Sequence, residues 1–411
     1  MADDMGFSDL GCYGGEIKTP AIDRLAKEGV RFSQFYNCAI CGPSRASLMT
    51  GCYPWNVGQK PGVSIFANLK KNCTTIFEQL KQAGYETCAV GRADMIAGGN
   101  WHSPARLSRF VDRFLCAITS ESRPGPGNYY KEVTPNPWFK DGKRWASPKG
   151  AYSTDLISDF VVDFIEATAK SDKPFFIYGA HFAPHWPLQA DEKDIAPYRE
   201  LYEKADRAKL MQARLDRLIR DGLIPKGTKL HASALNAKSP RDGTSLTERM
   251  AIHAAMVESI DRSVADMMVA LEKAGKLDNT LILVLSDNGS SAQLCYNRPR
   301  PQKVRAGSVE TFINHGPTLA ALNNTPFRNY KTCNYEGGIA SPLIAWWPRG
   351  VKGKGRVSHV PCHIEDIMPT CLELANIPYP AKFKERNLIP LAGKSLCSAL
   401  CKGVESCLFA G

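Results

Sequence analysis

The chain has 411 residues but no uninterrupted apolar run approaching the roughly 20 that a membrane-crossing helix requires. No membrane span is therefore expected. It carries 14 cysteines, yet no repeated C-x-x-C pair at zinc-site spacing, which removes a structural zinc of that type. A chain this long does not need disulfide staples to hold a core. Cys38 and Cys41 are close neighbours, and Cys397, Cys401 and Cys407 cluster near the end, so export would allow some of them to pair. No internal repeat, low-complexity tract or nucleic-acid module is present, and the basic residues are scattered. What remains is a net charge of +11, which suits an anionic ligand or an acidic surface.

With 44% hydrophobic residues the chain can bury a large core. Helical and strand-like stretches alternate, which predicts an α/β fold with a mostly parallel central sheet flanked by helices. Helices are expected over Pro20 to Glu28, Thr74 to Ala83, Thr154 to Ala169, Thr247 to Lys273 and His363 to Ala375. Strands are expected over Arg31 to Tyr36, Glu86 to Val90, Phe175 to Ala180, Thr280 to Leu285 and Pro342 to Trp347. Residues 116 to 152, rich in Gly, Pro and Tyr, read as a loop over the site, and 203 to 246 as irregular after a helical start.

The most telling stretch is Cys41-Gly42-Pro43-Ser44-Arg45, running on to Leu48, Thr50 and Gly51. Pro43 suits a first helical turn, where its missing N–H has no intrahelical partner. Cys41 then sits at a helix N-terminus, where unpaired N–H groups favour negative charge. Arg45 lies one turn on and returns a fixed cation toward the same place. The result is an anion site with sulfur at its centre. Two acidic elements accompany it, Asp3-Asp4-Met5-Gly6 (with Asp9 following) and Asp287-Asn288-Gly289. Both fall at carboxyl ends of expected strands, where open α/β sheets place ligands. Such oxygen-only donors suit Ca²⁺ or Mg²⁺, not zinc.

The cysteine stretch resembles the signature of the cysteine-type sulfatases of the alkaline phosphatase superfamily. Several implications follow from that resemblance. Cys41 is oxidised after synthesis to formylglycine, whose hydrate is the nucleophile, by a formylglycine-generating enzyme. Asp3, Asp4, Asp287 and Asn288 bind the divalent ion, with modified Cys41 touching it. His185, in Pro184-His185-Trp186-Pro187, contacts the sulfate ester, while His181 is a decoy. Lys331, ahead of Glu336-Gly337-Gly338, binds sulfate. Arg45 and Arg92 complete the cationic set around one tetrahedral anion. Sulfatases carry Gly-Lys-Trp-His after the second strand; here the run is Gly91-Arg92-Ala93-Asp94. Asp94 thus stands where a histidine would take a proton from the hydrate, which puts turnover in question, and His102 in Gly99-Asn100-Trp101-His102 is a possible substitute.

The resemblance implies hydrolysis of a sulfated carbohydrate or aryl sulfate by a periplasmic or secreted protein. It also implies a catalytic domain over 1 to 380 and the start of a smaller domain over 381 to 411. The family's first apolar strand and a leader are absent before Asp3, so a truncated N-terminus is expected. Two other readings stay open: an impaired relative that binds sulfated glycans, and a formylglycine-dependent phosphodiesterase or phosphonate ester hydrolase.

Overall fold

A computed structural model of the chain describes residues 1–58, 72–92, 110–117, 138–146, 148, 150–231, 240–294, 299–300, 303–351 and 353–401. In chain order the main elements are α1 (Pro20–Glu28), β1 (Val30–Phe32), β2 (Phe35–Tyr36), α2 (Cys41–Thr50), α3 (Ile76–Gln82) and β3 (Glu86–Arg92). Next come β4 (Arg113–Ala117), β5 (Trp138–Lys140), β6 (Lys143–Trp145), α4 (Ser153–Thr168), β7 (Phe175–Ala180), α5 (Glu192–Glu203) and α6 (Arg207–Arg220). The remainder comprises α7 (Leu246–Lys273), β8 (Ile282–Leu285), α8 (Gly316–Asn323), β9 (Leu343–Trp346), β10 (Arg356–Ser358), β11 (Cys362–His363) and α9 (Ile367–Leu374). No helix among the described residues is long and apolar enough to cross a membrane.

The strands form two larger sheets. One has the order β6-β5-β4-β3-β7; its parallel centre, β4-β3-β7, is as expected, and β5 and β6 add an antiparallel edge. The other has the order β10-β1-β9-β8 and is mixed, with β9 antiparallel to both of its neighbours. Met1 to Asp3 lies between β7 and β8 and joins the sheets: His181 N–H donates to Met1 O (3.0 Å) and Ala2 N–H to Leu285 O (2.8 Å). Apolar residues of α4 and α7, such as Phe160, Phe164 and Met256, are buried in one cluster, and those of α2, α3 and α9, such as Met49, Phe77 and Met368, in another. Each such side chain contributes about 1.5–3 kcal/mol on burial. The Thr75 hydroxyl and Glu78 carboxylate cap the start of α3 reciprocally, fixing its first turn.

Three boundaries differ from expectation. The strand over Arg31 to Tyr36 divides at Ser33-Gln34 because its halves pair with different partners, β1 with β9 and β10, and β2 with β11. The region 116 to 152, read as loop, contains the β5–β6 hairpin. Asp141 (φ 47°) and Gly142 (φ 88°) form its turn, and both need positive φ. The segment 203 to 246 has its expected helical start in α6, opened by the Asp206 side chain accepting from Lys209 N–H (3.0 Å). The helix expected from His363 begins as a tight 3-10 turn over Ile364–Asp366 before α9.

Candidate active site

Helix α2 starts at Cys41, as its Pro and Arg spacing predicts, and ends at Gly51, whose left-handed φ of 64° closes it. Cys41 is 2% exposed. Its Sγ accepts from an Arg92 Nη at 3.5 Å, and it groups with carboxylate oxygens of Asp3 and Asp287 within 4.8 Å of one another. Arg92 reaches this point because Gly91, at the end of β3, has φ 93° and lies where a Cβ would fall 2.0 Å from Ala180 O. Only glycine satisfies both conditions. Asp94 and His102 lie outside the described residues.

The acidic elements converge from the two ends of the chain. Asp4 adopts φ 66°, a conformation that Asp tolerates better than most residues, and its N–H donates to Asp287 Oδ1 at 3.3 Å. Asn288 Nδ2 donates to Asp4 Oδ1 at 2.6 Å. Gly289 packs on the Glu336-Gly337-Gly338 turn so closely that a Cβ would lie 1.9 Å from Gly337 O, and its N–H donates to Gly338 O (3.1 Å). That contact explains why the two glycine-bearing motifs occur together. Asp9, by contrast, faces away from this group: its Oδ2 accepts from Gly6 N–H (2.8 Å) and lies 2.9 Å from His253 Nε2.

The cations interleave with the acids. Arg45 Nε donates to Asp287 Oδ2 (2.9 Å), one Nη lies 3.1 Å from Asp3 Oδ2, and the other donates to the Tyr178 hydroxyl (3.2 Å). Arg92 pairs with the same Asp3 oxygen. Lys331 Nζ contacts Asp4 Oδ1 at 2.6 Å. His185 Nδ1–H donates to Trp186 O (2.6 Å), which leaves Nε2 facing Asp4 Oδ2 at 3.5 Å. His181 is elsewhere, buried against Ser263 Oγ (3.0 Å) on α7. Tyr178 and Trp186 are the neighbours that sequence reading missed. Tyr178 lies in a strand expected for its apolarity, and nothing local marks its hydroxyl as a partner of Arg45.

Burial and charge oppose one another here. Burial pushes the Asp3 carboxyl up, but Arg92, Arg45, His185 and Lys331 outweigh it and hold Asp3 well below the usual range. Asp287 is pushed up to about 6 by burial and then by Asp3, against the pull of Arg45. Lys331 stays charged: burial disfavours this, and Asp4 and its fellow acids overcome it. His185 is lowered by burial, only partly offset by Asp4. Asp3 Oδ1, Asp4 Oδ2 and Asn288 Oδ1 are buried without a hydrogen-bond partner. Orphaned oxygens of this type fit a hard divalent cation.

The Sulfatase family profile matches residues 1–377. An arylsulfatase of Klebsiella aerogenes is 30% identical over 430 aligned positions, covering 96% of this chain and 90% of that protein. Human arylsulfatase A is 27% identical, with 92% of this chain and 64% of its own length aligned. The solved structure of Ps i-CgsB in complex with k-i-k-neocarrahexaose superposes at TM-score 0.68 with 27% identity, over 97% of this chain and 74% of that one. With this match and the alkaline-phosphatase-like α/β architecture it carries, the chain belongs to the sulfatase family.

Proposed function

We propose that the protein hydrolyses the sulfate ester of a carbohydrate or aryl alcohol at the Cys41 cluster. The observation that supports this most is the meeting of Cys41, two arginines, Lys331 and three aspartates at one buried point. Relatives named as arylsulfatases and N-acetylgalactosamine-6-sulfatases, and a neighbour bound to an oligosaccharide, support the substrate class. Asp3, Asp4, Asp287 and Asn288 would hold Ca²⁺, or Mg²⁺, which supplies charge stabilisation at the sulfate oxygens. Cys41, converted to formylglycine by a formylglycine-generating enzyme, supplies an oxygen nucleophile in hydrated form. Such maturation accords with a periplasmic or secreted location.

The chain's own residues do the remaining work. Arg92 spans Asp3 and position 41, so its fork orients the nucleophile and balances the anion next to it. Arg45 fixes Asp3 and Asp287 relative to one another and keeps both ionised beside the substrate. Of the two donors available to the leaving oxygen, Lys331 is the better, because it is charged in the resting site. Burial favours neutral His185, and its Nδ1 proton is held by Trp186 O, so its Nε2 can donate to substrate only after taking a proton from solvent. The near-complete burial of the cluster excludes bulk water and strengthens each of these interactions.

The deciding experiment is the mass of the Cys41 peptide after co-expression with a formylglycine-generating enzyme, together with kcat/KM on an aryl sulfate and on a phosphate diester. The aldehyde mass and a preference for the sulfate are expected. An unconverted thiol with no turnover overturns the reading, as does faster cleavage of the diester.

A further inference from the structure

Beside the charged cluster stands a row of aromatic rings. His185, whose Nε2 lies 3.5 Å from Asp4 Oδ2, packs against the Trp186 indole with ring centroids 4.3 Å apart. Trp186 in turn meets Phe312, with centroids 5.6 Å apart and planes inclined at 45°. The row therefore starts at the group around Cys41 and ends on two half-buried rings. The two segments that carry it are locked together. Leu188 N–H donates to Ile313 O (2.8 Å), Ala190 N–H to Gly307 O (3.0 Å), and the Gln189 side-chain amide to Thr311 O (2.8 Å).

Core packing does not account for these rings. Leu188 and Ile313, from the same two segments, are wholly buried in the cluster that contains Phe160 and Met256. Trp186 and Phe312 stand outside the apolar clusters formed by the described residues. Among those residues, moreover, Trp186 Nε1 is buried without a hydrogen-bond acceptor. A buried donor left unpaired is costly, and a ligand that brings an acceptor removes the cost. Flat apolar faces with a few fixed polar groups are also how concave sites hold small molecules. A plain aryl ring covers such faces but offers the indole N–H no acceptor at its edge. A pyranose has an apolar C–H face and oxygens around its rim, and so meets both demands.

We propose that Trp186 and Phe312 form the subsite for a sugar ring, the pyranose whose hydroxyl carries the sulfate. Its C–H face lies on the two rings, and one of its edge oxygens accepts from Trp186 Nε1. This rests on the sulfate-ester reading of the Cys41 cluster and narrows the alcohol from carbohydrate or aryl to carbohydrate. His185, one of the two donors available to the leaving oxygen, is the first ring of the row, so a group stacked on its neighbours is the group attached to that oxygen. The pairing of the two segments fixes the wall in advance, and little ordering is needed when the sugar binds. Trp186 and Phe312 touch neither the sulfur nor the departing oxygen. Their effect is on substrate affinity and choice, not on the chemical step.

The test is calorimetric titration of the calcium-loaded, full-length protein with its Cys41 unconverted, which binds esters without consuming them. The probes are monosulfated glucose and galactose, phenyl sulfate and inorganic sulfate. At least one sugar sulfate should bind more tightly than inorganic sulfate, and W186A should weaken it about tenfold, with F312A acting in the same direction. Inorganic sulfate should bind all variants as it binds the wild type. W186F keeps a flat face but removes the N–H, so it should weaken the sugar sulfate about threefold and leave phenyl sulfate unchanged. Should W186A fail to fold, W186F and F312A decide. Sugar sulfates that bind no better than the bare ion, or equally well to wild type and variants, overturn the proposal while the sulfate site stands. An equal loss of phenyl sulfate in W186F overturns it too, by assigning the wall to an aryl group. A wild type that binds neither sulfate nor any ester defeats the sulfate-ester reading itself.

Discussion

Arg45 shows how much one side chain can hold. It is wholly buried, and its guanidinium bridges acids contributed by the first few residues and by position 287. Removing one member of a buried charge group leaves the others uncompensated, so R45A should lose about 3–5 kcal/mol in chemical denaturation. R45K keeps the charge but not the fork, and its kcat/KM on an aryl sulfate should fall by about 10²-fold or more. Asp287 carries a pH consequence. In the metal-free protein its folded carboxyl releases its proton near 6, and the unfolded one near 3.8. The folded state thus binds the extra proton between those values, and this group's contribution to stability falls as pH rises through that window. Asp3 acts oppositely and below it, since its folded carboxyl is depressed and its contribution is lost as pH falls beneath the unfolded value. A proton on Asp287 also competes with a cation. Calcium affinity measured calorimetrically should therefore weaken as pH drops below about 6, and equal affinity at pH 5 and 7 would contradict this. At this scale the sequence was informative wherever a motif carried several residues together, as with Cys41 and Arg45. It was silent for Tyr178, whose role depends on a strand pairing that no local pattern encodes.

Among the elements, helix ends were legible because glycine, capping residues and apolar spacing act locally: α1 and β7 fall on the expected bounds. What misled was composition. The Gly- and Tyr-rich stretch hid the Asp141-Gly142 hairpin, although that dipeptide is itself a turn signal. The split between β1 and β2 was unreadable for another reason, since it is imposed by partners more than 300 positions away. The junction of β3 and β7 offers a direct test. Gly91 lets the strands approach and delivers Arg92; G91A combines a disallowed φ with a clash against Ala180 O. A loss of at least about 2 kcal/mol is expected, together with loss of turnover. A variant with wild-type melting and wild-type kcat/KM would show that the strands accommodate the methyl group.

For the molecule as a whole, the fold class was legible from alternation, and the acid pairs from their strand-to-loop context. The division into two sheets was not, because strand order depends on crossovers, and the extra antiparallel edges follow no periodicity. The acids come from the segment that joins β7 and β8 (Asp3 and Asp4) and from the end of β8 (Asp287). A cation bound there should thus stabilise the global fold as well as the site. At a hundredfold excess over its dissociation constant, the gain should be about 2.7 kcal/mol. Melting with calcium, after chelation, and in D4N measures this: the shift should appear in the wild type and vanish in the variant. A chelator that leaves the melting temperature unchanged would exclude a tightly held structural ion.

The sulfur of Cys41 lies 2% exposed beneath partners that arrive from as far along the chain as Lys331. Another protein's catalytic groups have no approach to it once those late-synthesised segments have closed over. Any enzyme that is to oxidise it must therefore meet the polypeptide during or just after synthesis, before Lys331 is in place. On the conversion of Cys41 proposed above, packing would set the order of events in biosynthesis, and material refolded from unconverted thiol would stay inert however well its remaining residues were arranged.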